Sequence, residues 1–195
     1  MVFEGFDIEG LRAVLFAGDQ AFSQNYPSVS TELILLGLVA QEGTATGATV
    51  PCLNSLNFFQ HRGITVAEVQ AAIRDVLGPV AEPVIPSPSP TPRVIEVGPN
   101  YTVAEFKFNE GLPFSERSVR AFERAKAIAD RSEQSLISAL HLLLGLIEEG
   151  QELVNGQTSE AVRVLEHLGV NFNELQALIL QALSSVPKAD TNNEA

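Results

Sequence analysis

An internal repeat is the feature that most restricts how this chain can fold. The tetrapeptide Leu-Leu-Gly-Leu at residues 35–38 returns 108 residues later, and the same offset aligns residues 6–41 with residues 114–149 without a gap, with ten identical positions. After a loop the offset becomes 106, where His-Arg-Gly-Ile at residues 61–64 aligns with His-Leu-Gly-Val. Repeats of this kind are copies of one supersecondary unit that bury their apolar faces against each other. Two similar units are therefore predicted.

Each repeat has the sequence pattern of four helices. Apolar residues recur at helical spacing, and polar residues that can accept hydrogen bonds from free backbone N–H groups stand where helices should begin. Gly63 and Gly169 are placed to end the third helix of each repeat in a left-handed conformation. The predicted N-caps are Asp7 and Ser115 for the first helices, Ser30 and Ser138 for the second, and Thr65 and Asn171 for the last. The chain is therefore predicted to be all-α.

The second helix of each repeat contains a glycine in its most apolar part, at Gly37 and at Gly145. A glycine inside a helix costs roughly 1 kcal/mol relative to alanine. We expect the backbone of another helix to approach closely at both positions. Because this helix is apolar on all sides, it should also be central and buried.

The composition changes abruptly between the repeats. Residues 79–113 form a proline-rich linker followed by a weakly alternating segment, which is typical of extended chain. The predicted organisation is repeat one at residues 1–78, this linker, repeat two at residues 114–186, and a polar tail at residues 187–195.

Charge and composition limit the classes of function. A formal net charge of −12 makes nucleic acid and anionic membranes unfavourable partners. The N-terminus lacks the pattern of a secretory signal, and the longest apolar run is too short to span a membrane. We expect a cytoplasmic protein, or a protein of the plastid stroma if a plant form is processed.

No group of residues has the spacing of a catalytic, cofactor-binding or metal site. The three histidines are not paired at metal-ligand spacing, Cys52 is the single cysteine, and the glycines of residues 43–47 lack the lysine of a phosphate-binding loop. His141 lies in a leucine-rich helix and is expected to be a core residue. The prediction is a protein that is not an enzyme and has no cofactor and no metal.

Four segments resemble the Clp N-terminal repeat family. They are Phe-Ser-Glu-Arg at residues 114–117, Thr-Glu-Leu-Ile-Leu-Leu-Gly-Leu at 31–38, Ala-Leu-His-Leu-Leu-Leu-Gly-Leu at 139–146, and Leu-Glu-His-Leu-Gly-Val at 165–170. The resemblance implies that the two repeats pack as one pseudo-twofold domain. In the family this domain sits on a AAA+ unfoldase and receives adaptors or substrates for the Clp protease. The 195-residue sequence contains no such ATPase module, so it resembles the small Clp accessory proteins of chloroplasts and cyanobacteria.

The resemblance also points to candidate partner-binding residues. In Clp chaperones, a glutamate at the start of the second helix acts with a hydroxyl at the cap of the first helix to bind arginine-phosphate marks. Repeat one has Glu32 but Asp7 at the cap, whereas repeat two has Ser115 but Leu140 in place of the glutamate. Within each repeat the pair is therefore expected to be incomplete. The alternative is that Glu32 only stabilises its helix N-terminus through the helix dipole.

Two aromatic residues, Phe106 and Phe108, precede repeat two and lie outside both repeat patterns. Exposed aromatic residues commonly anchor interfaces, so we expect them to dock on a partner; the alternative is that they cover the surface of the domain itself. The leading prediction is a non-enzymatic accessory or adaptor protein that docks on Clp protease core subunits or on the Clp AAA+ chaperone. The second prediction is a binding module that recruits protein substrates.

Overall fold

The structure is a computed structural model that describes residues 5–42, 57–78, 112–154 and 156–185. These residues contain eight α-helices and, apart from isolated bridges, no strand, which confirms the all-α prediction. Repeat one contains α1 Ile8–Ser23, α2 Thr31–Gln41, α3 Phe58–His61 and α4 Val66–Leu77. Repeat two contains α5 Glu116–Arg131, α6 Ala139–Gly150, α7 Glu160–His167 and α8 Phe172–Ser184. The predicted linker at residues 79–113, except its last two residues, and the predicted tail at 187–195 lie outside the described residues.

The helices begin at the predicted caps. Asp7 accepts a hydrogen bond from the Gly10 N–H at 2.7 Å, and Ser115 accepts one from the Ser118 N–H at 3.1 Å. Thr65 forms the predicted reciprocal capping box with Glu68. Gly63 and Gly169 have φ angles of 70° and 71° after the third helices, as expected.

Ser30 is the exception among the predicted caps. It occupies the N-cap position of α2, but its side chain makes no capping hydrogen bond. Instead, the Ser30 hydroxyl donates to Glu32 Oε1 at 2.5 Å. The hydroxyl proton is thus directed at the carboxyl group, and the hydroxyl oxygen accepts no hydrogen bond from the first turn of α2.

The second helices form the centre of the molecule. Residues 31–39 of α2 and residues 139–147 of α6 are all buried. Helix α2 packs on α1, and α6 packs on α5. Burial of each leucine contributes roughly 1.5–3 kcal/mol relative to exposure, so these two helices supply much of the apolar core.

The two central glycines lie against backbone, as predicted. A Cβ atom at Gly37 would overlap the carbonyl oxygen of Ala13 and lie 2.9 Å from its carbonyl carbon. A Cβ atom at Gly145 would lie 2.6 Å from the oxygen of Ala121 and 2.8 Å from the nitrogen of Ala125. These distances are shorter than van der Waals contact, and the obstacle is backbone that cannot rotate away.

The repeats pack together around an internal pseudo-twofold axis. Helix α1 contacts α6, and α2 contacts α5 and α6. Two isolated parallel bridges join the repeats, Phe6 with Ile137 and Val29 with Phe114. The 108-residue offset that relates the repeats converts one bridge into the other, as a twofold relation requires. This arrangement confirms the two-repeat fold expected from the resemblance.

Polar contacts also connect the repeats. The Thr31 hydroxyl donates to Glu160 Oε2 at 3.1 Å and accepts from the N–H of Ala161 at 3.2 Å, so it links the start of α2 to the start of α7. Arg163 on α7 donates to the carbonyl oxygen of Val76 at 3.0 Å, at the end of α4. Because Thr31 is buried, its two hydrogen bonds satisfy groups that would be costly to leave unpaired.

Enlarging either central glycine should destabilise the fold. Alanine gains roughly 1 kcal/mol of helix propensity over glycine, yet we expect Gly37→Ala and Gly145→Ala each to lower the free energy of unfolding by about 1–3 kcal/mol, because the helices must separate. Denaturant unfolding of the full chain measures this. The control is Ala177→Leu, which enlarges an exposed position of α8 and should leave stability unchanged. An increase in stability for both glycine variants would contradict the close approach of the helices.

Candidate functional site

The candidate partner-binding residues lie where the two repeats meet, at the start of α2 and α6. The Ser115 N–H donates to the carbonyl oxygen of Val29 at 3.0 Å, and the Ser118 hydroxyl donates to the same oxygen at 2.9 Å. Val29 directly precedes the Ser30 cap, so the cap of α5 in repeat two is bonded to the segment that leads into α2 of repeat one. This junction places Ser115 beside the helix start that carries Glu32.

The second junction repeats this arrangement with different chemistry. The Asp7 N–H donates to the carbonyl oxygen of Ile137 at 3.0 Å, and the Ile137 N–H donates to Gly5. Ile137 leads into α6, whose first turn contains Leu140 at the position equivalent to Glu32. Asp7 therefore belongs with Leu140, and Ser115 belongs with Glu32.

This crossing corrects the pairing expected within each repeat. The sequence comparison grouped Glu32 with Asp7, and Ser115 with Leu140, and so expected both pairs to be incomplete. In the structure the cap of one repeat meets the second helix of the other. One junction consequently combines a hydroxyl with a glutamate, and the other combines an aspartate with a leucine.

The Glu32 carboxyl group is buried, with 2% of the residue exposed. Its Oε1 accepts from the Ser30 hydroxyl, whereas Oε2 is buried and has no hydrogen-bond partner. Removal from water raises the pKa of Glu32 to about 7; the Ser30 hydrogen bond opposes this shift, and the nearby Glu160 adds to it. A buried carboxyl oxygen without a partner is unusual in folded proteins.

Asp7 is also in an environment that disfavours its charge. Partial burial raises the pKa of Asp7 to about 6, and the hydrogen bond from the Gly10 N–H opposes the shift. The Asp7 carboxylate already caps α1, because its Oδ1 accepts the hydrogen bond from the Gly10 N–H. We therefore expect a capping role for Asp7 more than a ligand-binding one.

A pocket that was not predicted from the sequence adjoins the start of α2. It has a volume of about 160 Å³ and is lined by side chains that include Tyr26, Leu33, Leu36, Ile73 and Arg74. Burial raises the pKa of Tyr26, and the charge of Glu32 adds to this shift. One trace of the pocket exists in the sequence: Leu33 stands where repeat two and the family pattern have a histidine.

That histidine, His141, is a core residue as expected. It is fully buried, and its Nδ1 accepts from the Ser138 N–H at 3.0 Å, which assigns the ring proton to Nε2. Burial lowers the pKa of His141 to about 4, so the ring is neutral at physiological pH. Its Nε2 has no hydrogen-bond partner. The ring thus completes the capping box of α6.

Several residues singled out from the sequence lie outside the described residues. These are Phe106 and Phe108, Cys52, and the glycine-containing loop at residues 43–47. In the described ranges, no cluster of three or more histidine, cysteine, aspartate or glutamate side chains could hold a metal ion. Over the same ranges, every helix is too short or too polar to cross a membrane.

Neutralising Glu32 should stabilise the protein in a pH-dependent way. The folded state holds a proton on Glu32 between its ordinary pKa of 4.5 and about 7, whereas the unfolded state releases it. Stability of the native protein therefore falls as the pH rises through this window. We expect the advantage of Glu32→Gln to grow between pH 4.5 and 7 to the order of 1–3 kcal/mol.

Thermal or denaturant unfolding at a series of pH values checks this expectation. Glu116→Gln, on an exposed carboxylate in the first turn of α5, controls for the loss of a helix-start charge. A Glu32→Gln advantage that is constant or shrinks with rising pH would show that the carboxyl group is not held in its neutral form.

Comparison with known proteins agrees with the fold and with the motifs. Residues 113–195 match the family model of the Clp repeat (R) N-terminal domain. The chain is 25% identical over 191 residues, or 98% of its length, to an "ATP-dependent Clp protease ATP-binding subunit ClpA homolog" of Porphyra purpurea. It is also 25% identical over 96% of its length to "Chaperone protein ClpC1, chloroplastic" of Oryza sativa subsp. japonica. The chain spans 18% and 16% of the length of these two relatives.

A solved structure supports the same relationship. The N-terminal domain of the chaperone ClpD from Arabidopsis thaliana superposes with a TM-score of 0.62 and 25% sequence identity, covering 93% of this chain and 99% of that one. Its match extends over both repeats, whereas the family model matches only the second. Residues 113–195 thus match the Clp repeat (R) N-terminal domain, and the fold of both repeats together is similar to that of the ClpD N-terminal domain.

Proposed function

We propose that the chain is a non-enzymatic accessory or adaptor module of the ATP-dependent Clp protease system, which docks on the protease core or on its AAA+ chaperone. The observation that carries this proposal is the match of both repeats to nearly the whole of a Clp chaperone N-terminal domain. The names of the curated relatives, a Clp protease ATP-binding subunit and a chloroplastic chaperone, support the same system. The chloroplastic relative is consistent with a location in the plastid stroma if the chain comes from a plant, and otherwise we propose the cytoplasm.

Several ionisable side chains already form ion pairs or helix caps within the fold, which supports a non-enzymatic role. Glu149 is fully buried and binds Arg120, with its Oε1 3.2 Å from Nε and 3.1 Å from Nη2. Asp7 caps a helix, and His141 is neutral and enclosed. These groups stabilise the domain, which leaves the surface and the repeat junctions as the parts available to a partner.

Docking is assigned in this proposal to Phe106 and Phe108, which precede repeat two. A large apolar ring that enters a pocket on a partner is the usual form of a binding hot spot. The acidic character of the chain adds a second requirement, because a net charge of −12 favours a partner surface that is apolar or basic.

Removing both rings should abolish docking without unfolding the domain. We expect Phe106→Ala combined with Phe108→Ala to weaken association with Clp core or chaperone subunits by at least about tenfold, since hot-spot truncations cost 2 kcal/mol or more. Co-purification of the tagged chain from its native source, with quantified Clp subunits, measures this. The matched control replaces the polar residues Glu105 and Asn109 of the same segment with alanine.

The melting temperature separates docking from a structural role. Docking requires an unchanged melting temperature together with lost association. A large fall in melting temperature, or association that persists, would mean that the aromatic rings cover the domain itself.

The second candidate is a module that recruits protein substrates, and the unpartnered Oε2 of Glu32 favours it. An arginine-phosphate side chain combines a guanidinium group with a phosphoryl group. Glu32 could accept hydrogen bonds from the guanidinium, while the Ser115 hydroxyl and a helix N-terminus could bind the phosphoryl oxygens. The crossing of the repeats brings this pair of residues to one junction only.

Binding of a peptide that carries phosphoarginine tests the second candidate. We expect one site per chain by calorimetric titration, with affinity lowered at least about tenfold in Glu32→Gln because a charge-assisted pair is lost. Asp7→Asn, at the junction that lacks the glutamate, is the matched control and should bind normally. Equal binding by Glu32→Gln, or by the same peptide without phosphate, would exclude this recognition. Heterogeneous clients in the co-purification would support substrate recruitment, whereas predominance of Clp subunits would support docking.

A further inference from the structure

Helix α1 is apolar on two opposite sides. Its inner side, which includes Ala13, Ala17 and Ala21, is buried in the core. At 100° per residue, five other apolar residues of α1 fall on the side turned away from those alanines, and each of these five is partly exposed. They form the α1 stripe: Ile8, Leu11, Leu15, Gly18 and Phe22. Their spacing alternates between three and four residues, which is the spacing of a seam between two packed helices.

The equivalent helix of repeat two lacks this stripe. At the same positions of α5, the 108-residue offset places Glu116, Val119, Glu123, Lys126 and Asp130. Four of these five residues are charged and exposed, as expected of a helix side that faces water. The fold is shared by the two repeats, so it does not require apolar residues on this side of α1. The stripe therefore needs a reason outside the common fold.

The stripe is complementary to itself in an antiparallel arrangement. A twofold axis perpendicular to α1 at Leu15 brings Ile8 of one molecule level with Phe22 of the second, and Leu15 opposite Leu15. The same axis places Arg12, three residues before Leu15, within about 1.5 Å along the helix of Asp19 in the second molecule, four residues after Leu15. Arg12 and Asp19 are exposed and lie on the same flank of the stripe.

Two opposite-charge pairs would therefore form at the edge of such a seam, one at each end. Flanking charges of this kind select the partner and the orientation of paired helices. In a parallel pair related by a twofold axis, arginine would face the level of arginine, so the charge pattern favours the antiparallel arrangement. An isologous contact of this type is the commonest form of homodimer.

We propose that the α1 stripe is a self-association surface, on which α1 of a second molecule of this chain packs antiparallel. The interface is centred on Leu15, and pairs of Arg12 with Asp19 fix its register. Helix α1 has 16 residues, which corresponds to about 24 Å. One pair of helices of that length buries less surface than the 1,200–2,000 Å² or so typical of stable complexes. The dimer should therefore be weak and reversible, with dissociation in the micromolar range or above.

Sedimentation equilibrium of the full chain over a range of concentrations tests the proposal. We expect the mean mass to rise toward twice that of the monomer, and Leu15→Glu to keep it at the monomer value. Leu15→Glu introduces the residue type that α5 carries at the equivalent position, so it should not affect folding. Glu123→Gln, at that equivalent position of α5, is the matched control and should associate like the native chain.

Charge reversals test the register and the orientation. Arg12→Asp and Asp19→Arg are on exposed positions and should each raise the dimer dissociation constant by at least about tenfold, because each creates two like-charge contacts. An equimolar mixture of the two variants should associate again, since one molecule then presents only acidic groups and the other only basic groups. Weakening by each single reversal is specific to the antiparallel pairing, because in a parallel pair the native chain would already have like charges at the same level. Recovery in the mixture shows that the loss comes from charge and not from misfolding.

Three outcomes would overturn the proposal. The first is a native chain that stays monomeric at every concentration. The second is Leu15→Glu with a lowered melting temperature and no dimer to lose, which would mean that another part of the same chain covers the stripe. The third is a dimer that neither Leu15→Glu nor the charge reversals weaken, which would place self-association on another surface.

Discussion

The contact of two helix backbones at Gly37 and Gly145 is the constraint on which the rest of the structure depends. With no Cβ atom at these positions, α2 lies directly on the carbonyl of Ala13, and α6 lies on the backbone at Ala121 and Ala125. The facing helices contribute alanines to the same interfaces, which keeps the separation small along their length. Tight packing of this kind in the interior is rigid. It therefore determines where each second helix begins, and both repeat junctions lie at those beginnings.

The internal duplication provides two copies of each position, and the copies have diverged where a partner could act. Glu32 in repeat one corresponds to Leu140 in repeat two, and Leu33 corresponds to His141. All four residues are buried. The shared fold therefore accommodates a polar or an apolar side chain at each of these positions, and the two repeats differ there in hydrogen bonding and charge. Oε2 of Glu32 and Oε2 of Glu149 both lack a hydrogen-bond partner, but Glu149 forms ion pairs with Arg117 and Arg120 of α5. The two buried carboxyl groups therefore differ in the electrostatic compensation that neighbouring side chains provide.

The proposed surfaces occupy different parts of the molecule and are compatible with each other. The junction with Glu32 and Ser115 lies between the repeats, at the start of α2. The α1 stripe lies on the outer side of α1, opposite the packed alanines. Because self-association would use only α1 of repeat one, a dimer would leave the described helices of repeat two uncovered by the second molecule.

Local sequence rules predicted most of the fold but little of the site. The repeat, the caps at Asp7 and Ser115, and the need for a close contact at Gly37 all follow from spacing, propensity and the cost of glycine, which depend on neighbours along the chain. The absence of a capping hydrogen bond at Ser30 could not be predicted, because the contact of its hydroxyl with the Glu32 carboxyl group depends on the conformations of both side chains. The hydrogen bond from Ser115 to Val29, just before the helix that carries Glu32, also appeared only in the tertiary structure, because it crosses between repeats that the sequence comparison treats separately. The burial of Glu32, which raises its pKa, results from the packing of both repeats around this side chain. Such burial depends on neighbours in space, which the spacing of residues along the sequence does not specify.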